Sequence, residues 1–184
     1  VAGYGEGALI AFYASALDTR IDATLVSGNF DSREDVWSQP IYRNVWSLLN
    51  RFGDAEIASL ILPRKLIIEH SETPTIVNHK GDAKTPAFER VQREVARICV
   101  AGQEQPDFVH GENGSTVGPF SAEAANKFLK TLGIDTPAKP VTRMYDNRYA
   151  FNADERKNRT VQQIENHVQG LVRKSEHVRD KFML

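Results

Sequence analysis

The opening stretch, residues 1–27, constrains the fold more than any other part of the chain. Val1-Ala2 has the character of a strand end, and Gly3-Tyr4-Gly5-Glu6-Gly7 makes a tight turn. Residues 8–17 (ALIAFYASAL) are apolar on most faces, as expected of a helix buried against a sheet. Asp18, Thr19 and Arg20 close that helix. Residues 21–27 (IDATLVS) form a near-continuous apolar run with β-branched side chains, the pattern of a parallel strand covered on both faces. Strand, turn, helix and strand in so short a span make a βαβ unit, right-handed by the general rule for such crossovers. The fold class that follows is α/β, a mostly parallel sheet with flanking helices.

The remainder extends this plan. Residues 28–33 (GNFDSR) open a polar excursion that carries Trp37, Pro40, Tyr42 and Trp46. Within it, residues 44–50 look helical, and a short helix is expected over 54–60. Residues 65–69 (KLIIE) supply a third strand and residues 107–109 (DFV) a fourth. Residues 70–85 form a polar loop. Residues 86–100 place Phe88, Val91, Val95, Ile98 and Cys99 on one side of an amphipathic helix, with Pro86 near its first turn. A further helix is expected over 121–132, with Ser121 as N-cap and Gly133 as its stop. The proline-bearing stretch 135–152 has the composition of a linker. Beyond it, 153–182 predicts a polar helix on which Val161, Ile164, Val168, Leu171, Val178 and Phe182 keep 3/4 spacing, broken by Ser175. The expected organisation is an α/β domain over 1–134, a linker over 135–152, and a helix over 153–184. That helix is expected to pack on a missing domain or on a partner chain, a coiled-coil dimer contact being the sharper alternative. The strand-like start and helix-like end lead to the expectation of a segment cut from a longer protein.

Composition removes several function classes. With 23 basic against 24 acidic side chains, the net charge is -1, so no global field exists to hold nucleic acid or an anionic membrane. No apolar run approaches the ~18 residues of a transmembrane helix. A lone cysteine, Cys99, excludes an internal disulfide framework and a multi-cysteine metal site.

The turn Gly3-Tyr4-Gly5-Glu6-Gly7 joins a strand to a helix. Glu69 ends the KLIIE strand with Glu72 close behind, and His110 follows DFV. In this order of turn, acid and histidine, residues 1–133 resemble the C-terminal half of an α/β-hydrolase domain. They are similar to dienelactone-hydrolase-like and acetyl-xylan-esterase-like bacterial proteins. The stretches DTRIDATLVSGNFDSRE, PIYRNVWSLL and FGDAEIASLILPRKLIIE carry much of the likeness. The resemblance implies a hydrolase acting on a small-molecule or carbohydrate ester, and export to the periplasm or beyond; no cofactor and no metal are expected. It also implies that His110 is the catalytic histidine and Glu69 its acid, Glu72 being the alternative.

The departure lies at the elbow, where G-x-S-x-G places a serine. Gly5 stands there, and glycine cannot form an acyl-enzyme. Glycine also relieves the backbone strain that the elbow imposes on other residues. Glu6, at the helix N-terminus, is a candidate to activate water together with His110. Its plainer role is a negative charge favoured by the helix dipole. Ser27, Ser32, Ser71 and Ser115 could lie near the sheet edge, but none sits on an elbow. Two readings follow: a hydrolase with an unconventional nucleophile, or a catalytically inactive binding or scaffold module.

Trp37, Tyr42, Arg43 and Trp46 are candidate substrate-binding residues, forming a wall over the pocket. The alternative is a satellite apolar cluster under the loop. His70 and His79, with Glu69 and Glu72, lack the HxH or HxxxH spacing of a metal site. His167 and His177 are expected on the surface of the last helix. A third reading comes from Gly3, Gly5 and Ala8, which satisfy the G-x-G-x-x-[GA] dinucleotide fingerprint. The first acid that could take a ribose there, Asp31, comes several residues past the strand end.

Overall fold

A computed structural model describes residues 1–74, 81–98, 105–135 and 151–183. In chain order the regular elements are β1 (Ala2–Tyr4), α1 (Glu6–Leu17), β2 (Ala23–Ser27), α2 (Asp54–Ser59), β3 (Lys65–Glu69), α3 (Phe88–Ala96), β4 (Asp107–Val109), α4 (Ala122–Thr131) and α5 (Ala153–Met183). The four strands form one sheet, all parallel, in the order β1-β2-β3-β4. Ser27 pairs with both Tyr4 and Glu69, and Glu69 with Val109. All four strands therefore finish along one edge, and the functional candidates lie at that edge or on the segments that leave it.

Successive strand residues point to opposite faces, so β2 and β3 feed two cores. Val26, Leu66 and Ile68 pack with Ala8 and Phe12 of α1, Ala55 and Ala58 of α2, and Val91 and Val95 of α3. Leu25, Ile67 and Val109 face Ala124 and Phe128 of α4. Three helices thus cover one face and α4 covers the other. Leu66, Ile67 and Ile68 have no exposed surface, and burying each contributes ~1.5–3 kcal/mol.

The βαβ start and the four strands appear in the expected order, but β1 runs on through Tyr4 and α1 begins at Glu6, so the expected turn over 3–7 contracts to Gly5, and β2 begins at Ala23 rather than Ile21. The helix expected over 86–100 is the shorter α3, and Cys99 lies outside the described residues. The helical expectation for 44–50 gives way to separate 3-10 turns at Ile41–Arg43 and Leu48–Asn50. Ser47 has φ 64°, a left-handed conformation that breaks any continuous helix through this stretch. His79 and most of the expected linker (136–150) also lie outside the described residues.

The chain divides into two compact units, residues 1–139 and 140–184. In the second unit α5 exposes its apolar stripe, Val161, Ile164, Val168, Leu171 and Val178. Among the described residues no helix is long and apolar enough to cross a membrane.

Candidate functional site

The turn between β1 and α1 is a sharp elbow. Gly5 adopts φ 56° and ψ -116°, and its N–H donates to the Ser27 carbonyl at 3.0 Å. This is a region that glycine occupies at little cost and other residues only under strain. A Cβ at this position would fall 2.3 Å from Cγ and 2.8 Å from Cδ of Pro74. The proline ring therefore fills the space that a nucleophile would need. Pro74 belongs to the loop after β3, which is tied down on both sides. The Tyr4 hydroxyl donates to the Glu72 carbonyl (2.8 Å), and the Thr73 N–H donates to the Thr85 hydroxyl (2.8 Å).

Glu69 is buried at the end of β3, with both carboxylate oxygens engaged. Oε2 accepts from the Ser27 hydroxyl (2.5 Å), the Ser71 hydroxyl (3.2 Å) and the Phe120 N–H (2.8 Å). Oε1 accepts from the Ser121 N–H (2.8 Å). This carboxylate holds the entrance of α4, whose N-cap is Ser121, and it fixes Phe120 at φ 55°. His110 is exposed, its Nδ1 2.8 Å from the Gly111 carbonyl oxygen. Its ring packs against Phe88 (4.8 Å between centroids) and Phe108 (5.1 Å). Phe88 in turn rests on Gly114, where a Cβ would come within 2.3 Å of the ring. No described hydrogen bond joins Glu69 to His110, so the acid and histidine of the expected triad are not coupled. Glu72, the alternative acid, is exposed.

Glu6 begins α1, and its carboxylate is held from the excursion. The Arg43 Nε donates to it at 2.8 Å, a second Arg43 nitrogen pairs with it, and the Tyr42 hydroxyl donates at 3.1 Å. Arg43 also donates to the Gln39 side-chain oxygen (3.2 Å). Glu6 thus ties the elbow to the excursion, and no described contact brings it to His110. Trp37 and Trp46 project into solvent, 78% and 92% exposed. Of the four residues expected to form a substrate wall, Arg43 is the one that lines a cavity beside α1.

That cavity, about 120 Å³, lies between α1, the excursion and the start of α2. Leu9, Tyr13, Val36, Leu48 and Ile57 supply its apolar surface. Its polar wall is an ion pair, both members buried: Arg33 Nε donates to Asp54 Oδ1 (3.1 Å) and Oδ2 (3.0 Å). Arg33 Nη2 also donates to the Asn29 carbonyl (2.9 Å), and the Asp31 N–H donates to Asp54 (3.0 Å). Burial pushes the Asp54 carboxyl up and Arg33 pulls it back, burial being the stronger. The Tyr13 phenol is likewise pushed up, first by burial and then by the Asp54 charge. Next to the pair, Arg90 clamps Asp31 (2.7 and 2.5 Å) and reaches Asp35 (3.1 Å). The sequence reading missed this network. Its signal was present in DSRED, a dense charge run leaving a fully buried strand.

Asp31, the acid of the dinucleotide reading, is thus committed to Arg90, and Pro74 occupies the turn where a pyrophosphate would approach Gly5. Among the described residues no three His, Cys, Asp or Glu side chains gather as metal ligands would. In comparisons with known proteins, the chain matches no family model, no curated sequence and no solved structure.

Proposed function

We propose that the α/β unit is a catalytically silent module on an α/β-hydrolase-like frame that binds a small, mainly apolar molecule in the cavity beside α1. Gly5 carries this reading: the elbow conformation is kept, the nucleophile is absent, and Pro74 stands where its side chain would be. The order of the elements supports the frame, with an elbow opening the first helix and α4 closing the far face. The engagement of Glu69 with α4 and of Glu6 with Arg43 supports the loss of catalysis, because neither carboxylate is left to serve His110. A cavity of about 120 Å³ suits one ring or a short chain, since an apolar void of roughly 150 Å³ takes up benzene. The Arg33–Asp54 pair gives such a ligand a polar wall for a hydroxyl or carbonyl.

The two tryptophans of the chain, Trp37 and Trp46, both lie on the excursion, next in sequence to Val36 and Val45 of the cavity wall. Titration of the full chain with cyclohexanol or hexanoate is expected to change their fluorescence saturably, and Leu9→Phe, which fills the cavity, to abolish the change. Fluorescence indifferent to both probes would overturn the binding reading. Hydrolysis of p-nitrophenyl acetate is expected to equal that of His110→Ala. Turnover that the substitution removes would instead support a hydrolase using His110 and water.

A further inference from the structure

The polar wall of the cavity beside α1 carries two groups that the protein itself leaves uncommitted. Arg33 is 7% exposed. Its Nε and Nη2 are engaged by Asp54 and by the Asn29 carbonyl, whereas Nη1 makes no hydrogen bond among the described residues. Tyr13 stands on α1 with its ring set edge-on to Phe12, 5.9 Å between centroids. Its hydroxyl also lacks a hydrogen-bond partner among the described residues. It is nevertheless near the ion pair, because the charges of Asp54 and Arg33 both act on it. Among the described residues the sealed polar side-chain atoms without partners belong to Asn29 and Ser32, so the phenol and Nη1 both meet open space. Tyr13 and Arg33 line the same cavity.

What these two groups offer defines what they can hold. A guanidinium nitrogen only donates, and a phenol that must compete with water donates its O–H. Asp54 is 1% exposed, and its oxygens already accept from Arg33 and from the Asp31 N–H. Arg43, also on the cavity wall, is engaged by Glu6 and Gln39. Asn44, Ser47 and Asn50 of the lining are exposed and have bulk solvent for a partner. A ligand inside the cavity therefore meets donors, and the group they recognise is an acceptor. The same ion pair sets the charge of that group. Asp54 neutralises Arg33 at 2.9 Å, and at the phenol the Asp54 charge acts more strongly than that of Arg33. A carboxylate beside Tyr13 would lose its hydration and meet net repulsion. A neutral carbonyl oxygen has two lone pairs, one for each donor. Unlike a carboxylic acid or a secondary amide, a ketone brings no proton in need of an acceptor.

We infer that the ligand of this cavity is a small neutral carbonyl compound, its oxygen accepting from the Tyr13 hydroxyl and from Arg33 Nη1 while a body of about one ring fills the apolar remainder. The inference rests on the binding reading above and narrows it from apolar molecules in general to one chemical class.

NMR titration of the full chain with cyclohexanone, methylenecyclohexane and cyclohexanecarboxylate tests it. The first two differ by little more than an oxygen exchanged for a methylene group. Tyr13→Phe keeps the ring and its packing. It is expected to weaken cyclohexanone roughly 3- to 10-fold and to leave methylenecyclohexane unchanged. In the same variant the carbonyl stretch of bound cyclohexanone should move to higher frequency, because a hydrogen bond to it is lost. Cyclohexanecarboxylate at neutral pH should bind more weakly than cyclohexanone. Equal effects of Tyr13→Phe on the ketone and the alkene would overturn the inference, and so would a carboxylate that binds tighter than the ketone; the cavity would then be a binding site for another class. Binding of none of the three would remove the cavity reading itself, and the inference with it.

Discussion

At Gly5 the backbone and the packing make the same demand. Its positive φ favours glycine, and the Pro74 ring leaves no room for a Cβ. Gly5→Ser is therefore expected to cost about 1–3 kcal/mol in backbone strain, plus the displacement of Pro74. Denaturant unfolding resolves the two parts: Gly5→Ser/Pro74→Gly should recover the steric part and keep the strain. If Gly5→Ser is as stable as the parent, the elbow is less constrained than its geometry states. Glu69 gives a second contrast. A catalytic acid can be removed with little loss of stability, whereas Glu69 accepts from two hydroxyls and two backbone N–H groups. Glu69→Ala leaves those buried donors without an acceptor and should cost roughly 2–5 kcal/mol, read as a lower urea midpoint at unchanged slope. The KLIIE pattern could not reveal this role. An acid that caps a helix and an acid that orients a histidine both sit at a strand's C-terminal end. What separates them is the segment around Phe120, about fifty residues away in the sequence, and no local pattern reaches that far.

Among the elements, those governed by local periodicity were legible. KLIIE and DFV give β3 and β4 with the expected bounds, and Ser121 caps α4 through a 3.3 Å bond from the Ala124 N–H. The excursion was not legible as a set of turns, because its path depends on long-range ties. Glu6 holds Arg43, and Asp54, at the start of α2, holds Arg33 in a left-handed conformation (φ 61°). Breaking the second tie by Arg33→Met should cost about 3–5 kcal/mol by stranding a buried carboxylate, and Arg33→Met/Asp54→Leu should return most of it. Calorimetry of the two variants checks this, and equal losses in both would mean that the pair is not the origin. The junction of β3 with α3 carries a pH dependence. His70, buried beside Phe88, has its pKa lowered from 6.5, first by burial and then by the charge of His110, while Glu89 opposes the shift. The unfolded chain therefore takes up this proton at a pH where the native state still refuses it. Stability from this group is complete above about pH 6.5 and falls as the pH drops toward the folded value, where the loss levels off. Urea midpoints measured from neutral to mildly acidic pH should show this decline, and His70→Gln should flatten it.

At the scale of the whole molecule, two units with different sources of stability share one chain. The first buries apolar side chains on both faces of a parallel sheet, so its unfolding is a property of a single copy. The second is a helix of 31 residues whose apolar stripe is left uncovered by its own unit. If that stripe is covered by a second copy, its stability rises with protein concentration by mass action, and that of the first unit does not. The two can be followed separately, because both tryptophans lie in the first unit while circular dichroism at the helical band reports on both. Over about a hundred-fold range of concentration, the dichroism melt would in that case resolve a helical transition that climbs with concentration. Tryptophan fluorescence should trace a second transition that stays fixed. Should both probes climb together, association runs through the sheet unit, whose outer strands β1 and β4 have one paired side each among the described residues. Should neither move, α5 does not pair with its own copy, and the occupant of its apolar face is a different molecule.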